Sequence, residues 1–275
     1  SIEEEPILNE PLVDLAQLWN TAAKKLILVG VNDPNQLDQE VINHLAQDPS
    51  VVIMIETTSN LHHPDLINTI DTIITPFTEA DFKAFQPDVL ITFGGMIVSK
   101  RIKAFLRKYQ PQHHWHIDPL RAYDTFGCLS YHAKAQPNSW FQSFIALTKT
   151  VESTYRMQTL AIREERREKT ADYLASIPFC DFKVFEKIIP ALPSHSQLQI
   201  SNSSAIRYAQ LFDIDPTIEV YCNRGTSGID GSTSTAIGAA VGSGKPTTLI
   251  TGDISFLYDS NALWNAYIPK DFTII

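Results

Sequence analysis

Residues 25–30, KLILVG, form a run of branched apolar side chains that stops at a glycine. Similar runs occupy residues 51–55, 89–93 and 115–117, and stretches with helical spacing lie between them at 36–46 and 98–109. Short strands that alternate with helices are typical of a parallel sheet covered by helices on both faces. The first half of the chain is therefore predicted to be an α/β domain.

The same alternation returns in the second half of the chain. Strands are predicted at residues 197–200, 219–222, 247–251 and 271–275, and helices at 182–189, from 203, from about 232 and at 261–267. We therefore predict tandem three-layer α/β domains with mainly parallel sheets, residues 1–145 and 176–275. Residues 146–175 are predicted to be a helical connection, whose mixed-charge patch at 163–169 forms a solvated face.

The composition excludes several classes of protein. The chain has 275 residues, 44% hydrophobic and 19% charged, so it can bury a core, and its net charge of −9 opposes binding to nucleic acids or anionic membranes. No apolar run approaches the roughly 20 residues that cross a bilayer. Cys128, Cys180 and Cys222 show no metal spacing, which favours a reducing compartment and a cytoplasmic location.

Both ends of the chain predict a piece of a longer polypeptide. The opening residues 1–6, SIEEEP, are polar and are typical of a linker rather than of a signal peptide. Residues 271–275 stop inside a predicted buried strand, without a turn or a polar tail. We expect any active site in such a piece to be only partly present.

Glycine is crowded into one part of the second domain. Seven of the 11 glycines lie between positions 225 and 252. Residues 223–231, NRGTSGIDG, connect a predicted strand to a predicted helix that has small residues in its first turns. A ligand can approach such a backbone closely, and the free N–H groups at the helix N-terminus favour an anion.

A carboxylate and a hydroxyl follow the next predicted strand. Gly252, Asp253 and Ser255 lie at the predicted carboxyl edge of the sheet, where α/β proteins bind their ligands. Asp253 suits Mg²⁺, which prefers oxygen ligands and is commonly held by one or two carboxylates together with phosphates. The alternative interpretation is that Asp253 and Ser255 cap a helix.

Two further patterns lie in the first domain. Gly30 and the pair Gly94 and Gly95 follow strands directly, which fits either a nucleotide site or tight turns that need glycine. We favour tight turns because neither segment shows the pattern G-x-G-x-x-G. The histidines at 62–63 and 113–116 show no zinc-like spacing and are predicted to lie on the surface or in loops.

Three segments carry a resemblance to a known family. They are residues 201–207 (SNSSAIR), 223–231 (NRGTSGIDG) and 252–263 (GDISFLYDSNAL). The last resembles the start of the thiamine diphosphate motif, and the three together closely resemble the 2-succinyl-5-enolpyruvyl-6-hydroxy-3-cyclohexene-1-carboxylate synthases of menaquinone biosynthesis. Ile254 stands where the wider superfamily has a third glycine, a departure that this family shares. The resemblance implies a central Rossmann-like domain followed by a truncated thiamine diphosphate-binding domain.

The resemblance also implies a reaction. Members of this family are transferases, with thiamine diphosphate and Mg²⁺ (or Mn²⁺) as the implied cofactors. The implied reaction decarboxylates 2-oxoglutarate and adds the succinyl carbanion equivalent to isochorismate. The implied partners are these two small molecules and further copies of the chain, in a homodimer or homotetramer of the full-length protein. No nucleic acid and no membrane span is expected.

Individual residues carry over by their positions in the motifs. The resemblance implies that Asp253 binds the metal and that Ile229 holds the cofactor bent. The implied cofactor-binding residues are Asn202, Gly228, Ile229, Gly252, Asp253, Ile254 and Ser255. The implied substrate-binding residues, whose arginines match carboxylates, are Ser203, Arg207, Arg224, Lys100 and Arg101. For Lys100 and Arg101 the alternative is a solvated helix face.

Parts of the family's site are expected outside this chain. The catalytic glutamate belongs to an N-terminal domain, and the remaining metal ligands should follow Ile275. We therefore expect the chain alone to be inactive and to bind the cofactor poorly. Two alternatives stay open: another thiamine diphosphate lyase, such as an acetolactate synthase that uses two pyruvates, and a non-catalytic nucleotide-binding or assembly module.

Overall fold

The computed structural model describes residues 10–275, and the chain divides into two compact units, Ser1–Ala171 and Asp172–Ile275. Each unit contains a parallel sheet whose strands alternate with helices, so the predicted α/β class is confirmed. The predicted linker at residues 1–6 lies outside the described residues. The boundary between the units falls inside one long helix, and the domain limits 1–145, 146–175 and 176–275 stay a prediction.

The first unit contains a five-stranded parallel sheet with the strand order β2-β1-β3-β4-β5. The strands are β1 (Lys25–Val29), β2 (Val51–Ile55), β3 (Val89–Phe93), β4 (His113–Ile117) and β5 (Leu129–Ala133). The helices are α1 (Glu10–Trp19), α2 (Gln39–Gln47), α3 (Ile70–Ile74), α4 (Glu79–Phe85), α5 (Lys100–Lys108), α6 (Pro137–Ile145) and α7 (Tyr155–Ser176), which continues into the second unit. A 3₁₀ turn, Thr57–Ser59, follows β2.

The strands β1, β2 and β3 are apolar except for Lys25 and Thr92, because both faces of the sheet are covered there. Every residue of β1, β2 and β3 is buried. Successive side chains of a strand point to opposite faces, so Ile27 packs into one core with Trp140, whereas Leu26 packs into another with Ile102. Two cores on either side of one sheet make the three-layer arrangement.

The glycines after β1 and β3 allow two turns to touch. The Gly30 N–H donates to the Phe93 carbonyl at 2.9 Å, and the Gly95 N–H donates to the Val31 carbonyl at 2.7 Å. A Cβ atom on Gly30 would lie only 2.0 Å from the Gly95 carbonyl oxygen. Gly94 has a positive φ of 78°. These glycines therefore allow the backbones of two neighbouring turns to touch. This agrees with the tight turns that the sequence favoured over a nucleotide site.

A buried carboxylate joins β2 to α5. Glu56 is 1% exposed, and its Oε1 atom accepts the N–H groups of Val98 and Ser99, each at 3.0 Å, just before α5 begins. Burial raises the pKa of Glu56 to about 7, and the nearby Asp71 carboxylate raises it further, whereas the Ser99 N–H bond lowers it. The proton is therefore retained by the folded chain at pH values where an ordinary glutamate is charged.

We expect Glu56 to make the first unit less stable as the pH rises. Between pH 4.5 and about 7 the folded chain holds a proton that the unfolded chain releases, so unfolding is favoured increasingly across this window. A shift of this size corresponds to roughly 3 kcal/mol. Glu56→Gln should remove that slope. Denaturant unfolding at several pH values, followed by fluorescence of the buried Trp19, Trp115 and Trp140, measures it.

The control for this experiment is Glu79→Gln. The Glu79 carboxylate is exposed, and its bond to Lys108 lowers its pKa, so its loss should leave the slope between about pH 5 and 7 unchanged. Burial lowers the pKa of His114 to about 4, which gives a slope of the opposite sign between about pH 4 and 6.5. The comparison of Glu56→Gln with the unaltered protein cancels this contribution; equal slopes would contradict the prediction.

The charged patch on α7 is only partly a solvated face. Arg163 is 8% exposed, and its Nη1 atom donates to the carbonyls of Pro64 and Leu66 at 2.6 and 3.1 Å. The prediction of a solvated side chain is wrong for Arg163, because a guanidinium can be buried when carbonyl oxygens accept hydrogen bonds from its N–H groups. It holds for Glu165 and Lys169, which form an exposed ion pair at 2.5 Å.

The second unit contains a four-stranded parallel sheet with the order β7-β6-β8-β9. The strands are β6 (Gln197–Ser201), β7 (Glu219–Asn223), β8 (Thr247–Ile250) and β9 (Phe272–Ile274). The helices are α8 (Asp181–Ile188), α9 (Ser204–Ala209), α10 (Ser232–Ser243) and α11 (Asp253–Tyr258), with 3₁₀ turns at Ile189–Ala191 and Ser260–Leu263.

Two helices of the second unit decide the geometry of the sheet edge. The buried face of α10 has helical spacing, with Thr233, Ala236, Ile237 and Ala240 against the sheet. The helix predicted at 261–267 is wrong: α11 begins earlier, at Asp253, and only a 3₁₀ turn follows at Ser260–Leu263. The helix begins there because Gly252 takes an extended conformation and Asp253 puts a negative charge in the first turn, which the helix dipole favours.

Candidate functional site

The three resembling segments meet at one edge of the second sheet. Strands β6, β7 and β8 are parallel neighbours and end at Ser201, Asn223 and Ile250. The carboxyl ends of parallel strands share an edge, so the loops that follow these strands are adjacent. The Gly252 N–H also donates to the Ser201 hydroxyl at 3.3 Å, which joins two of the segments directly.

Asn202 holds the loop that follows β7. Its Nδ2 atom donates to the carbonyls of Ser227 and Gly228 at 2.7 and 3.0 Å, and its Oδ1 atom accepts a bond from Arg224 Nη1 at 2.8 Å. The side chain is 6% exposed. Both amide protons are therefore used inside the chain. Asn202 shapes the turn and orients Arg224 rather than presenting its amide to a ligand.

The loop 224–231 is bent by residues in the left-handed region. Gly225, Ser227 and Gly231 have positive φ angles of 36°, 71° and 72°. Gly228 is exposed, and a Cβ atom there would lie 2.5 Å from Asp230 Oδ1. Such a turn leaves an exposed backbone that a bulky ligand can approach. Gly228 and Ile229 are thus placed where the sequence predicted them, beside the start of α10.

Ser255 joins the loop 224–231 to α11. Its buried hydroxyl donates to the Ile229 carbonyl at 2.5 Å and lies 3.2 Å from the Ser232 hydroxyl. The hydroxyl predicted to contact the cofactor therefore points into the chain. This bond fixes the distance between the glycine turn and the first turn of α11.

Asp253 is available for a cation. The residue opens α11 at the carboxyl edge, its side chain is exposed, and within residues 10–275 its carboxylate forms no hydrogen bond or ion pair. A carboxylate oxygen without a partner fits Mg²⁺. The described residues contain no group of three His, Cys, Asp or Glu that could hold a metal, so Asp253 is an isolated carboxylate in this part of the chain. Ile254 beside it is exposed.

Ser203 and Arg207 lie at the end of β6. Ser203 is exposed and has φ 78° and ψ −124°, an unfavourable conformation for a residue with a Cβ atom, so α9 begins at Ser204 and not at Ser203 as predicted. Such strain is found most often at functional sites. Neither the Ser203 hydroxyl nor the Arg207 guanidinium bonds to another described residue. Both side chains are therefore free to bind a carboxylate.

The N-terminus of α10 already carries an anion of the chain itself. The Asp259 carboxylate accepts the N–H and the hydroxyl of Ser234, both at 2.6 Å. The prediction that this helix start receives the charge of a ligand therefore fails for the Ser234 amide. Asp259 lies within the resembling segment 252–263, but no local pattern in the sequence indicates its contact with a residue 25 positions away.

Lys100 and Arg101 lie in the first unit, in the first turn of α5. Both are exposed. The helix dipole disfavours positive charge at an N-terminus, so helix stability does not explain these two residues. Their role in substrate binding stays a prediction.

A pocket of about 420 Å³ opens at the carboxyl ends of β3 and β4 in the first unit. Its lining includes Gly94 and Gly95, and its charged side chains are three cations and one carboxylate, Lys103, Arg107, Arg121 and Asp118. Arg107 Nε donates to the Thr125 carbonyl at 2.8 Å, which holds that guanidinium in place. The arrangement can receive a small anionic molecule.

The histidines of β4 are strand residues, so the surface or loop prediction for 113–116 is wrong. His114 is 1% exposed. Its Nε2 atom and the Nδ1 atom of His116 each form a 2.8 Å hydrogen bond with the Thr92 hydroxyl. Burial lowers the pKa of both imidazoles, and that of His114 to about 4. Both are therefore neutral near pH 7, and they line the pocket.

Comparison with known proteins identifies relatives of both units. Residues 9–200 match a family model described as the middle domain of thiamine pyrophosphate enzymes. The whole chain is 62% identical to 2-succinyl-5-enolpyruvyl-6-hydroxy-3-cyclohexene-1-carboxylate synthase of Flavobacterium johnsoniae. The synthase of the same name from Flavobacterium psychrophilum is 65% identical over 97% of the chain, and that of Desulfotalea psychrophila is 32% identical over 95%.

The chain spans about half the length of the curated relatives that it matches, 49% of the Flavobacterium johnsoniae protein and 47% of the Desulfotalea psychrophila protein. The similarity includes both sheets, since the match to the Flavobacterium johnsoniae synthase covers all 275 residues. None of the helices within residues 10–275 has the length and apolar character that a membrane crossing requires.

Proposed function

Because this chain belongs to the family of thiamine pyrophosphate enzymes that share this middle domain, we propose that it forms part of a 2-succinyl-5-enolpyruvyl-6-hydroxy-3-cyclohexene-1-carboxylate synthase. The proposed enzyme is a transferase of menaquinone biosynthesis that decarboxylates 2-oxoglutarate and adds the succinyl group to isochorismate. The observation that carries the proposal is the meeting of three motifs at one sheet edge, tied together by Asn202 and Ser255.

The second unit supplies part of the cofactor site. We propose that the exposed Asp253 carboxylate holds Mg²⁺ (or Mn²⁺) and that the backbone of Gly228 and Ile229 approaches thiamine diphosphate. Bound thiamine diphosphate would supply the electron sink for decarboxylation. Gly252 and Ile254 flank the metal carboxylate, and Ser255 and Asn202 fix the turn from behind.

Three polar side chains at the same edge suit substrates with several carboxylates. Ser203 and Arg207 are free of internal partners, and Arg224 is held toward Asn202. A guanidinium binds a carboxylate through two parallel N–H bonds, which a lysine cannot reproduce. We propose that these residues orient one carboxylate substrate. A substrate-binding role of Lys100 and Arg101, which belong to the first unit, is proposed separately.

Arg207→Lys is expected to weaken substrate binding in the full-length protein. The ammonium keeps the charge but loses the two-bond geometry, so the KM for one of the two carboxylate substrates should rise roughly 10-fold, and Arg207→Ala should raise it roughly 100-fold. Because Arg207 makes no internal bond, thermal stability should be unchanged. Steady-state kinetics with 2-oxoglutarate and isochorismate varied separately measures this effect.

Arg167→Ala is the matched control for Arg207. Arg167 is exposed on α7 and pairs with Glu164 at 3.3 Å. Both residues precede the strands of the second sheet in the sequence. Its loss should change neither KM. An Arg207→Ala protein whose KM values both equal those of the unaltered enzyme would remove Arg207 from the substrate site.

The proposed function is tested by assaying the full-length protein with thiamine diphosphate and Mg²⁺. We expect carbon dioxide release from 2-oxoglutarate and, with isochorismate present, formation of the succinylated product. Turnover of pyruvate to acetolactate would support the other thiamine diphosphate lyase and overturn the assignment. The 275-residue chain alone is expected to show no turnover, because Asp253 is a single metal carboxylate among the described residues.

The cellular setting and assembly are also proposals. Cys128, Cys180 and Cys222 form no disulfide with one another, which fits a reducing compartment such as the cytoplasm. Ile254, Leu257, Tyr258, Trp264 and Tyr267 are exposed on the second unit. Exposed apolar groups of this density support association of the full-length protein, as a homodimer or homotetramer.

The pocket of the first unit supports a second candidate function. Its three cations and its position at the carboxyl ends of β3 and β4 suit the phosphates of a nucleotide. The backbone contact of Gly30 with Gly95 weighs against the glycines themselves cradling phosphate. Titration of the full-length protein with an adenine nucleotide or a flavin tests this; saturable binding that Arg121→Ala abolishes would support it, and no binding would reject it.

A further inference from the structure

Asp259 lies at the end of α11 and contacts the start of α10. Its side chain is 7% exposed, and its two carboxylate oxygens accept the N–H and the hydroxyl of Ser234, each at 2.6 Å. Ser234 is the third residue of α10. A carboxylate in this position caps the helix and is favoured by the helix dipole.

Helix α11 is held at a second point on the same face. Ser255 is four residues before Asp259 and bonds to the Ile229 carbonyl at 2.5 Å. Residues four apart lie on one face of a helix. Ile254, Leu257 and Tyr258 of the same helix are exposed. A helix of six residues is unstable alone, so these two attachments, together with the bond of Gly252 to Ser201 at the start of the helix, set the direction of α11.

The same two bonds set the position of the proposed metal carboxylate. Asp253 opens α11 and its carboxylate makes no bond of its own, so the position of its oxygens depends on the bond of Gly252 to Ser201 before it and on the attachment of the helix after it. The bond from Ser255 reaches the turn at Ile229, and the bond from Asp259 reaches the helix that follows that turn. Asp253 and the glycine turn are therefore coupled through Asp259.

We propose that Asp259 is a positioning residue of the cofactor site: by binding the start of α10 it fixes the Asp253 carboxylate relative to the turn at Gly228 and Ile229. This inference rests on the proposed function.

The test measures cofactor affinity rather than turnover. The full-length protein and its Asp259→Ala variant are titrated calorimetrically with thiamine diphosphate at fixed Mg²⁺, and with Mg²⁺ at fixed thiamine diphosphate. We expect the affinity to fall on the order of 10- to 100-fold, as for other residues that support a metal ligand. Ser234→Ala should lower it less, because the backbone N–H still donates to the carboxylate.

Asp215→Ala is the matched control. Asp215 lies in the same unit and likewise accepts a backbone N–H and a hydroxyl, from Thr217 at 2.8 and 2.6 Å, together with the Ser194 hydroxyl at 3.0 Å. Its loss should lower the melting temperature and leave the cofactor affinity unchanged. A purely structural role of Asp259 would give this same result.

Each outcome decides the proposal. Affinity in Asp259→Ala equal to that of the unaltered protein, or a loss no larger than in Asp215→Ala, overturns it. If Asp259→Ala does not fold, Asp259→Asn, which keeps one acceptor oxygen, is measured against the same criterion. If the unaltered full-length protein itself fails to bind thiamine diphosphate and Mg²⁺, the proposed function fails and this inference with it.

Discussion

Gly30→Ala is expected to unfold the first unit or to destabilise it by roughly 3 kcal/mol or more. The added Cβ atom would lie 2.0 Å from the Gly95 carbonyl oxygen, which belongs to a turn bonded to Val31. The strands cannot separate to relieve the contact, because β1 and β3 are paired along their length and buried on both faces. Near-ultraviolet circular dichroism reports the loss, since three of the four tryptophans are buried in this unit.

Gly238→Ala is the control for Gly30→Ala. Gly238 lies inside α10, is exposed, and has no atom within 4 Å of where a Cβ would stand. Alanine is the better helix residue, so this change should stabilise the second unit by up to about 1 kcal/mol. A Gly30→Ala protein that unfolds at the same denaturant concentration as the unaltered protein would show that the two turns can part without cost.

Asp253→Asn is expected to remove metal-dependent cofactor binding from the full-length protein. The amide has the shape of the carboxylate but no charge, and Mg²⁺ binds a neutral amide oxygen less strongly. We expect the Mg²⁺-dependent affinity for thiamine diphosphate to fall on the order of 100-fold, which is about 3 kcal/mol. The fold should be unaffected, because the exposed Asp253 side chain makes no internal bond. Calorimetric titration measures the affinity.

Asp271→Asn provides the comparison at the other edge of the same sheet. Asp271 is exposed and precedes β9, so it lies at the amino end of the parallel strands, opposite to Asp253. Asp271→Asn removes the same negative charge at a position outside the predicted site. Undiminished Mg²⁺ dependence in Asp253→Asn, or an equal loss in Asp271→Asn, would show that the metal carboxylate lies elsewhere.

The parts of the fold that the sequence predicted best are those with continuous apolar runs. The predictions at 51–55 and 89–93 coincide with β2 and β3, because each of these parallel strands is buried on both faces and is almost entirely apolar, although β2 lies at one edge of the sheet. The edge strand β5 was not predicted: Leu129–Ala133, LSYHA, is half-buried and mixes polar with apolar residues. This segment forms a strand because it pairs with β4 in the folded chain.

The sequence predicted which segments form the candidate site but not the hydrogen bonds that join them. The motifs indicate which loops meet at the carboxyl edge, because parallel strands fix that geometry. The sequence does not show that the Asn202 amide is used by the chain, that Ser203 adopts a positive φ, or that Asp259 reaches Ser234. Each of these depends on contacts between residues far apart in sequence or on a backbone state that no residue type specifies.

The bonds from Asn202 constrain how this segment can vary during evolution. One side chain donates to two successive carbonyls, those of Ser227 and Gly228, and has no amide proton left over. Exchange of the exposed Thr226 for another residue keeps both carbonyls in reach. A single inserted or deleted residue would displace both at once and release Arg224 as well. The number of residues in this turn is therefore under stronger constraint than their identity.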